Sequence, residues 1–339
     1  MVNVIIPMYH ARDTICDALN SLVAQTKKQF WVTLVQDCDG EDYSDIIEEY
    51  TRRDLHITLI QMEKNGGPGA ARQAGIDKSD QFDYIMFMDA DDMLFPRAID
   101  RLYHTAKQSN ADIGGSHMLQ EITGTDGVFH DVNTTPVQWC HGKIYRTQYL
   151  KENNIRFHPD LRLNEDTYFN CIAWNCAKQQ FRLPEITYLW RDNPNSLTRK
   201  AGEQAFLGQS YEQFFVAEIS GLLEVLHKQY KTKAQGEMYI FTAQMLYALY
   251  STMIQMYYWH ISDEPVIPLL KKMGKDKVLL SQFENIQFWA AIDKEYHDSY
   301  IIKGKYVHPT HLSFYDWLIK YVVEDRPKII TLTQADEKE

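Results

Sequence analysis

The sequence predicts an α/β fold: a mostly parallel sheet flanked by helices, followed by a helical C-terminal region after residue 200. Three observations carry this prediction. Apolar, β-branched runs alternate with apolar residues at helical spacing as far as residue 109. Three of the runs end in polar turns. Beyond residue 200 strand patterns give way to long aromatic-rich stretches at helical spacing.

The elements follow in order. Residues 2–6 are a short apolar run closed by Pro7. Residues 13–24 place Ile15, Ala18, Leu19, Leu22 and Val23 on one helical face. A second strand over 31–35 leads into the turn Asp37-Cys38-Asp39-Gly40-Glu41-Asp42. A helix over 43–53 and a third strand over 57–61 come next. Asn65-Gly66-Gly67-Pro68-Gly69 reads as a loop that opens a helix over 70–76. The fourth strand, 84–88, runs into Asp89-Ala90-Asp91-Asp92, and Pro96 starts a helix over 97–109. From 114 to 196 the pattern is mixed, with 124–135 read as a hairpin or a mobile loop. Helices are expected over 206–226, 235–260 and 314–323, and a frayed polar tail over 331–339.

Composition narrows the function classes. Apolar residues make up 45% and charged residues 24%, ordinary globular usage that excludes a disordered chain. The five cysteines form no C-x-x-C pair, which argues against a structural zinc site or a disulfide framework and for reduced thiols. The net charge of −11 divides into −7 before residue 200 and −4 after it, so neither half is a basic nucleic-acid module. The start of the chain reads as a strand and not as a signal peptide. The uncharged stretch 238–262 is interrupted by Thr, Gln and Ser and rich in Tyr, so it reads as a buried or interface helix and not as a membrane span. The expected compartment is the cytoplasm, with peripheral attachment to a membrane as the alternative.

In a parallel sheet with helices on both faces, ligands bind at the carboxyl ends of the strands. The three polar turns stand there. Asp89, Asp91 and Asp92 repel one another unless a cation intervenes, and a hard divalent ion with oxygen ligands is the natural partner. Tyr9, just past Pro7, offers an aromatic face to a nucleobase or is an ordinary turn tyrosine. Asp37 can accept from an imide N–H such as that of uracil, or it serves the turn itself. Arg72, on the helix after the glycines, suits a diphosphate or a nearby carboxylate. The glycines are neither a Walker loop nor a dinucleotide fingerprint. Asp166 stands at the start of a helical stretch, where a carboxylate can complement the helix dipole or act as a base. His117, His141 and His158 are scattered and read as structural; His141 and Asp192 are minor candidates to complete a metal sphere.

These motifs, in this order, resemble the inverting glycosyltransferases of family 2 with the GT-A fold. The resemblance covers residues 1–200 and adds Gly142-Lys143-Ile144-Tyr145-Arg146, Asn164-Glu165-Asp166-Thr167, and Trp190-Arg191 through Ser196-Leu197-Thr198. It implies that Pro7, Tyr9 and Asp37 form the base pocket for a nucleotide sugar, and that Asn65 and Arg72 are donor-side contacts. It implies that Asp89, with Ala90, lies near the ribose and sugar, and that Asp91, with Asp89, holds Mn²⁺ or Mg²⁺. Asp166 matches the family's catalytic base, and Arg191 and Ser196 a loop over the pyrophosphate. His10, where the family often has Asn, and Cys38-Asp39-Gly40 after the base-pocket Asp depart from the pattern.

The resemblance makes residues 1–200 a catalytic domain and leaves 201–339 as a helical, aromatic-rich region for the acceptor or for a homo-oligomer interface. The expected activity is transfer of a sugar from a nucleoside-diphosphate donor, most often a UDP-sugar, to an acceptor hydroxyl. The acceptor could be a glycan, a lipid-linked glycan, a protein or a modified base in phage DNA, the last disfavoured by the acidic charge. A nucleotidyltransferase is the second class, but it would carry a basic glycine-rich loop after the first strand. A non-catalytic nucleotide-binding protein is the third, and intact Asp91 and Asp166 argue against it.

Overall fold

The computed structural model describes residues 1–122, 128–133, 138–193, 204–229, 235–285, 287–292 and 314–323. The chain divides into two compact units, Met1–Lys200 and Ala201–Glu339.

The first unit is built on a sheet with nine strands among the described residues. β1 (Val2–Met8) lies between β2 (Phe30–Gln36) and β4 (Tyr84–Phe87), parallel to both, and β3 (His56–Gln61) extends the sheet beyond β2. β1 is covered on both faces: Val2, Val4, Ile5 and Ile6 are all fully buried. This is why the strand reads as a continuous apolar run and not as an alternation. α1 (Ile15–Val23), α2 (Ser44–Arg52), α3 (Gly67–Asp77) and α4 (Ala98–Gln108) are the intervening helices.

Beyond β4 the direction reverses. β8 (Lys143–Arg146) pairs antiparallel with β4, and β6 (Ile113–Glu121) antiparallel with β8. β9 (Gln180–Trp190) runs parallel to β6, and the two-residue β5 (Met93–Leu94) caps the edge beside β9. β7 (Phe129–Asn133) pairs antiparallel with β6, so the described part of 124–135 takes the hairpin form. Two helices complete the unit, α5 (Thr147–Glu152) and α6 (Glu165–Asn175).

The carboxyl ends of β1, β2 and β4 open on one edge, and backbone bonds lock their turns together. Asp37 N–H donates to the Met8 carbonyl at 2.9 Å, and Met88 N–H to Ile5 at 3.1 Å. α3 starts three residues before the expected helix over 70–76. Its early start has a cause in Asp37, whose carboxylate accepts from the N–H groups of Gly66 and Gly67 at 2.6 and 2.7 Å. Those are donors that a helix N-terminus cannot satisfy internally. Pro68 in the first turn is pre-set for the helix.

The second unit is helical: α7 (Gln204–Gln229), α8 (Gln235–Tyr258), α9 (Ile267–Met273), α10 (Lys277–Gln282), α11 over 287–292, and α12 (Phe314–Tyr321). Within it α8 lies against α7 and α12, and the Trp317 indole N–H reaches the Met253 sulfur at 2.9 Å. No described helix is long and apolar enough to cross a membrane. The expected tail over 331–339 lies outside the described residues.

Candidate active site

The site gathers on the edge where β1, β2 and β4 end. Tyr9 projects from it, 54% exposed, with its ring edge-on to His10 at 4.4 Å. Pro7 lies inside β1, opposite Val35. His10 takes a left-handed backbone, φ 50°, held by its own N–H on Asp39 and its Nδ1 on Glu41, both at 2.9 Å. The Tyr43 hydroxyl accepts from Ala11 N–H and lies 2.9 Å from both Asp39 and Glu41. The residues that depart from the family pattern therefore clamp the Tyr9 turn to the turn after β2.

Asp37 is buried, and its two oxygens are taken up by Gly66 and Gly67. Burial pushes its carboxyl up, against the pull of those two N–H groups. Asn65 donates to the Asp37 carbonyl at 3.3 Å and accepts from the Arg162 guanidinium at 2.8 Å. Gly67 has φ +81°, and a Cβ there would stand 2.9 Å from Arg162 Cδ. Glycine is needed at that position on both counts.

Arg72 is buried, and of its two expected partners it meets carboxylates. Nη2 donates to Asp89 Oδ1 at 2.6 Å and Nη1 to Glu165 Oε1 at 2.7 Å. Burial opposes the guanidinium charge, but Asp89 and Glu165 outweigh it and stabilise the cation. α3 and α6 can meet this closely because residue 69 is glycine: a Cβ there would lie 2.9 Å from Glu165 Cγ.

The four residues after β4 separate into distinct roles. Asp92 is fully buried and accepts from the Tyr188 hydroxyl at 2.6 Å and from Arg191 N–H at 2.9 Å, so it ties this turn to the end of β9. Asp91 accepts from the Asn193 amide at 2.7 Å. Ala90 is buried between Asp89 and Asp91. Asp89 meets Arg72 on one oxygen and His141 Nε2 on the other, at 3.2 Å. The His141 ring stacks on Tyr188 at 4.8 Å, and Nε2 is 4.0 Å from Asp92. Arg191 sends its guanidinium to Asp17 at 2.7 Å. Ser196 lies outside the described residues.

Charge in this cluster is unbalanced. Burial raises the Asp89 carboxyl, but Arg72 and His141 override it and hold it well below the carboxylate range. Burial and then Asp89 push Asp91 up; burial, Asp89 and Asp91 push Asp92 well up. A divalent cation would relieve that excess of negative charge, so the donor set fits one. Asp89, Asp92 and His141 offer ligand atoms all within 4.8 Å of one another. Asp91 was the principal ligand expected, and it stands outside this closest grouping, on Asn193.

Asp166 stands second on α6, beside Glu165, and is partly exposed. One oxygen accepts from Thr167 N–H at 2.8 Å. Burial and then Glu165 push its carboxyl up to about 7, against Arg72. That is the range in which a carboxylate works as a general base at neutral pH.

The sequence model of glycosyl transferase family 2 matches residues 3–170. Over that span the chain is similar to glycosyl transferase family 2. The chain is 31% identical over 218 residues to the uncharacterized glycosyltransferase EpsJ of Bacillus subtilis (strain 168), covering 58% of this chain and 63% of EpsJ. It is 28% identical over 218 residues to the poly(ribitol-phosphate) beta-N-acetylglucosaminyltransferase TarS of Staphylococcus aureus (strain Mu50), covering 59% of this chain and 36% of TarS. The chain thus spans less than two thirds of either relative. Residues 1–349 of S. aureus TarS, crystallised with UDP-GlcNAc, superpose with a TM-score of 0.67 at 21% identity, covering 90% of this chain and 92% of that one. The fold is therefore the GT-A fold.

The motifs single out Asp37, Arg72, Asp89 and Asp166, include Asp92 only as one of three clustered carboxylates, and give no role to Glu165 or Tyr188. Glu165 sits beside Asp166, so a signal existed. Tyr188 carried none, since one tyrosine in a strand has no local mark of its partner 96 residues away.

Proposed function

We propose that this chain is an inverting glycosyltransferase that moves a sugar from a nucleoside-diphosphate donor, preferably a UDP-sugar, to an acceptor hydroxyl. One observation carries the reading. One buried cation, Arg72, bonds both the strand-end carboxylate Asp89 and Glu165, the neighbour of Asp166, which supports reading the donor site and the base as parts of one site. Relatives that are named as glycosyltransferases, and a neighbour of the same fold crystallised with UDP-GlcNAc, support it.

Tyr9 supplies a face for the base, and the Asp37 turn closes the pocket behind it. Asp89, Asp91, Asp92 and His141 are the residues that would hold Mn²⁺ or Mg²⁺. An ion held there would supply Lewis-acid stabilisation of charge on the departing diphosphate. Asp166 takes the proton from the acceptor hydroxyl as that oxygen attacks the anomeric carbon. One in-line displacement of this kind needs no enzyme nucleophile and inverts the anomeric centre. The acceptor proposed is a hydroxyl of a polyol-phosphate polymer, on the strength of the poly(ribitol-phosphate) relatives. The helical unit is proposed to contribute to acceptor binding or to a homo-oligomer, and the working compartment to be the cytoplasm.

The test is UDP release from UDP-GlcNAc and UDP-glucose in Mn²⁺, in Mg²⁺ and in EDTA, followed by the anomeric configuration of the product. Full turnover in EDTA, or a product that keeps the donor's configuration, would overturn the mechanism.

A further inference from the structure

We infer that Arg72 is a positioning residue for transfer: a single buried guanidinium fixes Asp89, on the donor side, and Glu165, next to the base, at a set spacing. The inference rests on the function proposed above and assigns one residue the task of joining its two halves.

The geometry leaves the guanidinium no second place to go. Arg72 is 5% exposed and Glu165 7%, and the two bonds of 2.6 and 2.7 Å use separate Nη atoms. A planar fork with rigidly spaced donors sets a distance between its acceptors that a flexible ammonium cannot set. The guanidinium carbon lies 6.0 Å from the centre of the Phe157 ring, and Phe157 stacks on Phe169 of α6 at 4.2 Å with 3° between the planes. Aromatic packing therefore holds the cation in place from one side while the carboxylates hold it from the others. Arg72 Nε is buried without a hydrogen-bond partner among the described residues. The cluster accepts that cost to keep the fork aimed at two elements at once.

The second consequence is electrostatic. Asp166 senses Glu165 from its own helix, Arg72 from α3, and Asp89 from the end of β4. Lys143 and Tyr145 on β8, and Cys140 just before it, are within its electrostatic reach as well. Lys143 is fully buried and its amine is held down to about 8 by that burial, so Arg72 is the more dependable cation of the two. Arg72 favours the ionised base, whereas Glu165 and Asp89 disfavour it.

Two variants of opposite sign test the assignment. Arg72→Met removes the cation and leaves three carboxyl groups facing one another. Glu165→Gln keeps the shape and removes one negative charge. The readouts are the acid limb of the transfer rate and the pKa of Asp166 from carboxyl-carbon NMR, assigned by difference with Asp166→Asn. Arg72→Met should move both to higher pH by about one unit or more. It should also slow transfer by roughly 10²-fold at neutral pH, the scale of a misplaced reacting group. Glu165→Gln should move both to lower pH. Arg72→Lys should keep the limb near wild type while transfer falls, because charge survives and the fork does not. A limb and an Asp166 pKa that stay put in Arg72→Met, or that shift the same way in Arg72→Met and Glu165→Gln, would overturn the inference. If Arg72→Met does not fold, Arg72→Lys decides: transfer at the wild-type rate in Arg72→Lys would overturn the inference. A wild-type protein that releases no UDP from a UDP-sugar would defeat the proposed function instead, and the NMR titrations would still judge Arg72.

Discussion

As the proposed base, Asp166 works under two opposed constraints. It must be ionised to accept a proton, yet burial and Glu165 hold its carboxyl up to about 7. The rate of transfer is therefore expected to fall as pH drops below about 7, tenfold per unit at the limit, because the protonated acid cannot act as a base. Asp166→Asn keeps the shape and removes the basicity, so transfer should fall by roughly 10²–10⁴-fold. Calorimetric titration with UDP should give an affinity close to that of wild type; near-normal transfer would remove Asp166 from its role. The raised carboxyl also has a sign for stability. Between the ordinary Asp range and about 7 the folded chain binds a proton that the unfolded chain has lost, so this group's contribution to stability declines as pH rises through that window. Asp37 presents a different coupling. Replacing it by Ala removes a carboxylate that accepts from two helix N–H groups, at about 1.5–3 kcal/mol for hydrogen bonds to a charged group. Both the melting temperature and the UDP affinity of Asp37→Ala should fall. A variant that loses neither would show that the carboxylate serves neither purpose.

At the scale of elements, α3 and α6 form the joint of the site. Gly69 lets α3 sit against Glu165, and one turn later Arg72 crosses to α6. Gly69→Val would place two methyl groups where Glu165 already stands. Overpacking of this kind typically costs about 1–3 kcal/mol. Gly69→Val is expected to melt earlier and to lose transfer more than it loses UDP binding, since the displaced element carries the base and not the base pocket. Equal losses in both would show that α6 is not the part that moves. The same joint explains what could and could not be read from residues alone. β1, β2 and β4 were legible because a strand buried on both faces writes itself as an apolar run. The start of α3 was not, because the group that terminates it belongs to β2's turn, about thirty residues earlier. The partners of Asp89 were hidden for the same reason: His141 and Arg72 lie 52 and 17 residues away. Motif order revealed that these residues matter, but only the sheet order brings them onto one edge.

For the molecule as a whole, the second unit is the part whose role the fold leaves most open. The uncharged stretch expected to be a buried or interface helix is partly buried. Leu246, Leu249 and Met253 are buried, whereas Tyr257, Tyr258 and Trp259 at the end of α8 are about half exposed or more, Trp259 at 64%. Aromatic residues of this kind are enriched at protein interfaces. If they form the homo-oligomer contact proposed for this unit, sedimentation equilibrium without detergent should give a mass above the monomer's. Trp259→Ala should shift it toward the monomer. A wild-type chain that sediments as a monomer at micromolar concentration would remove the contact.

The central position of β1 has a cost paid during synthesis. Its partner on one side, β4, ends 85 residues after β1 begins, so at about 5–20 residues per second the gap between them lasts roughly 4–17 s. Through that interval one edge of a mostly apolar strand has no neighbour, a condition that invites pairing with another nascent chain. A ribosome-bound chain stopped before residue 84 is therefore expected to need a chaperone to stay soluble, and one extended well past residue 146 far less so, since β8 by then covers β4. Equal solubility of the two nascent chains without chaperone would show that β1 is shielded by some other route.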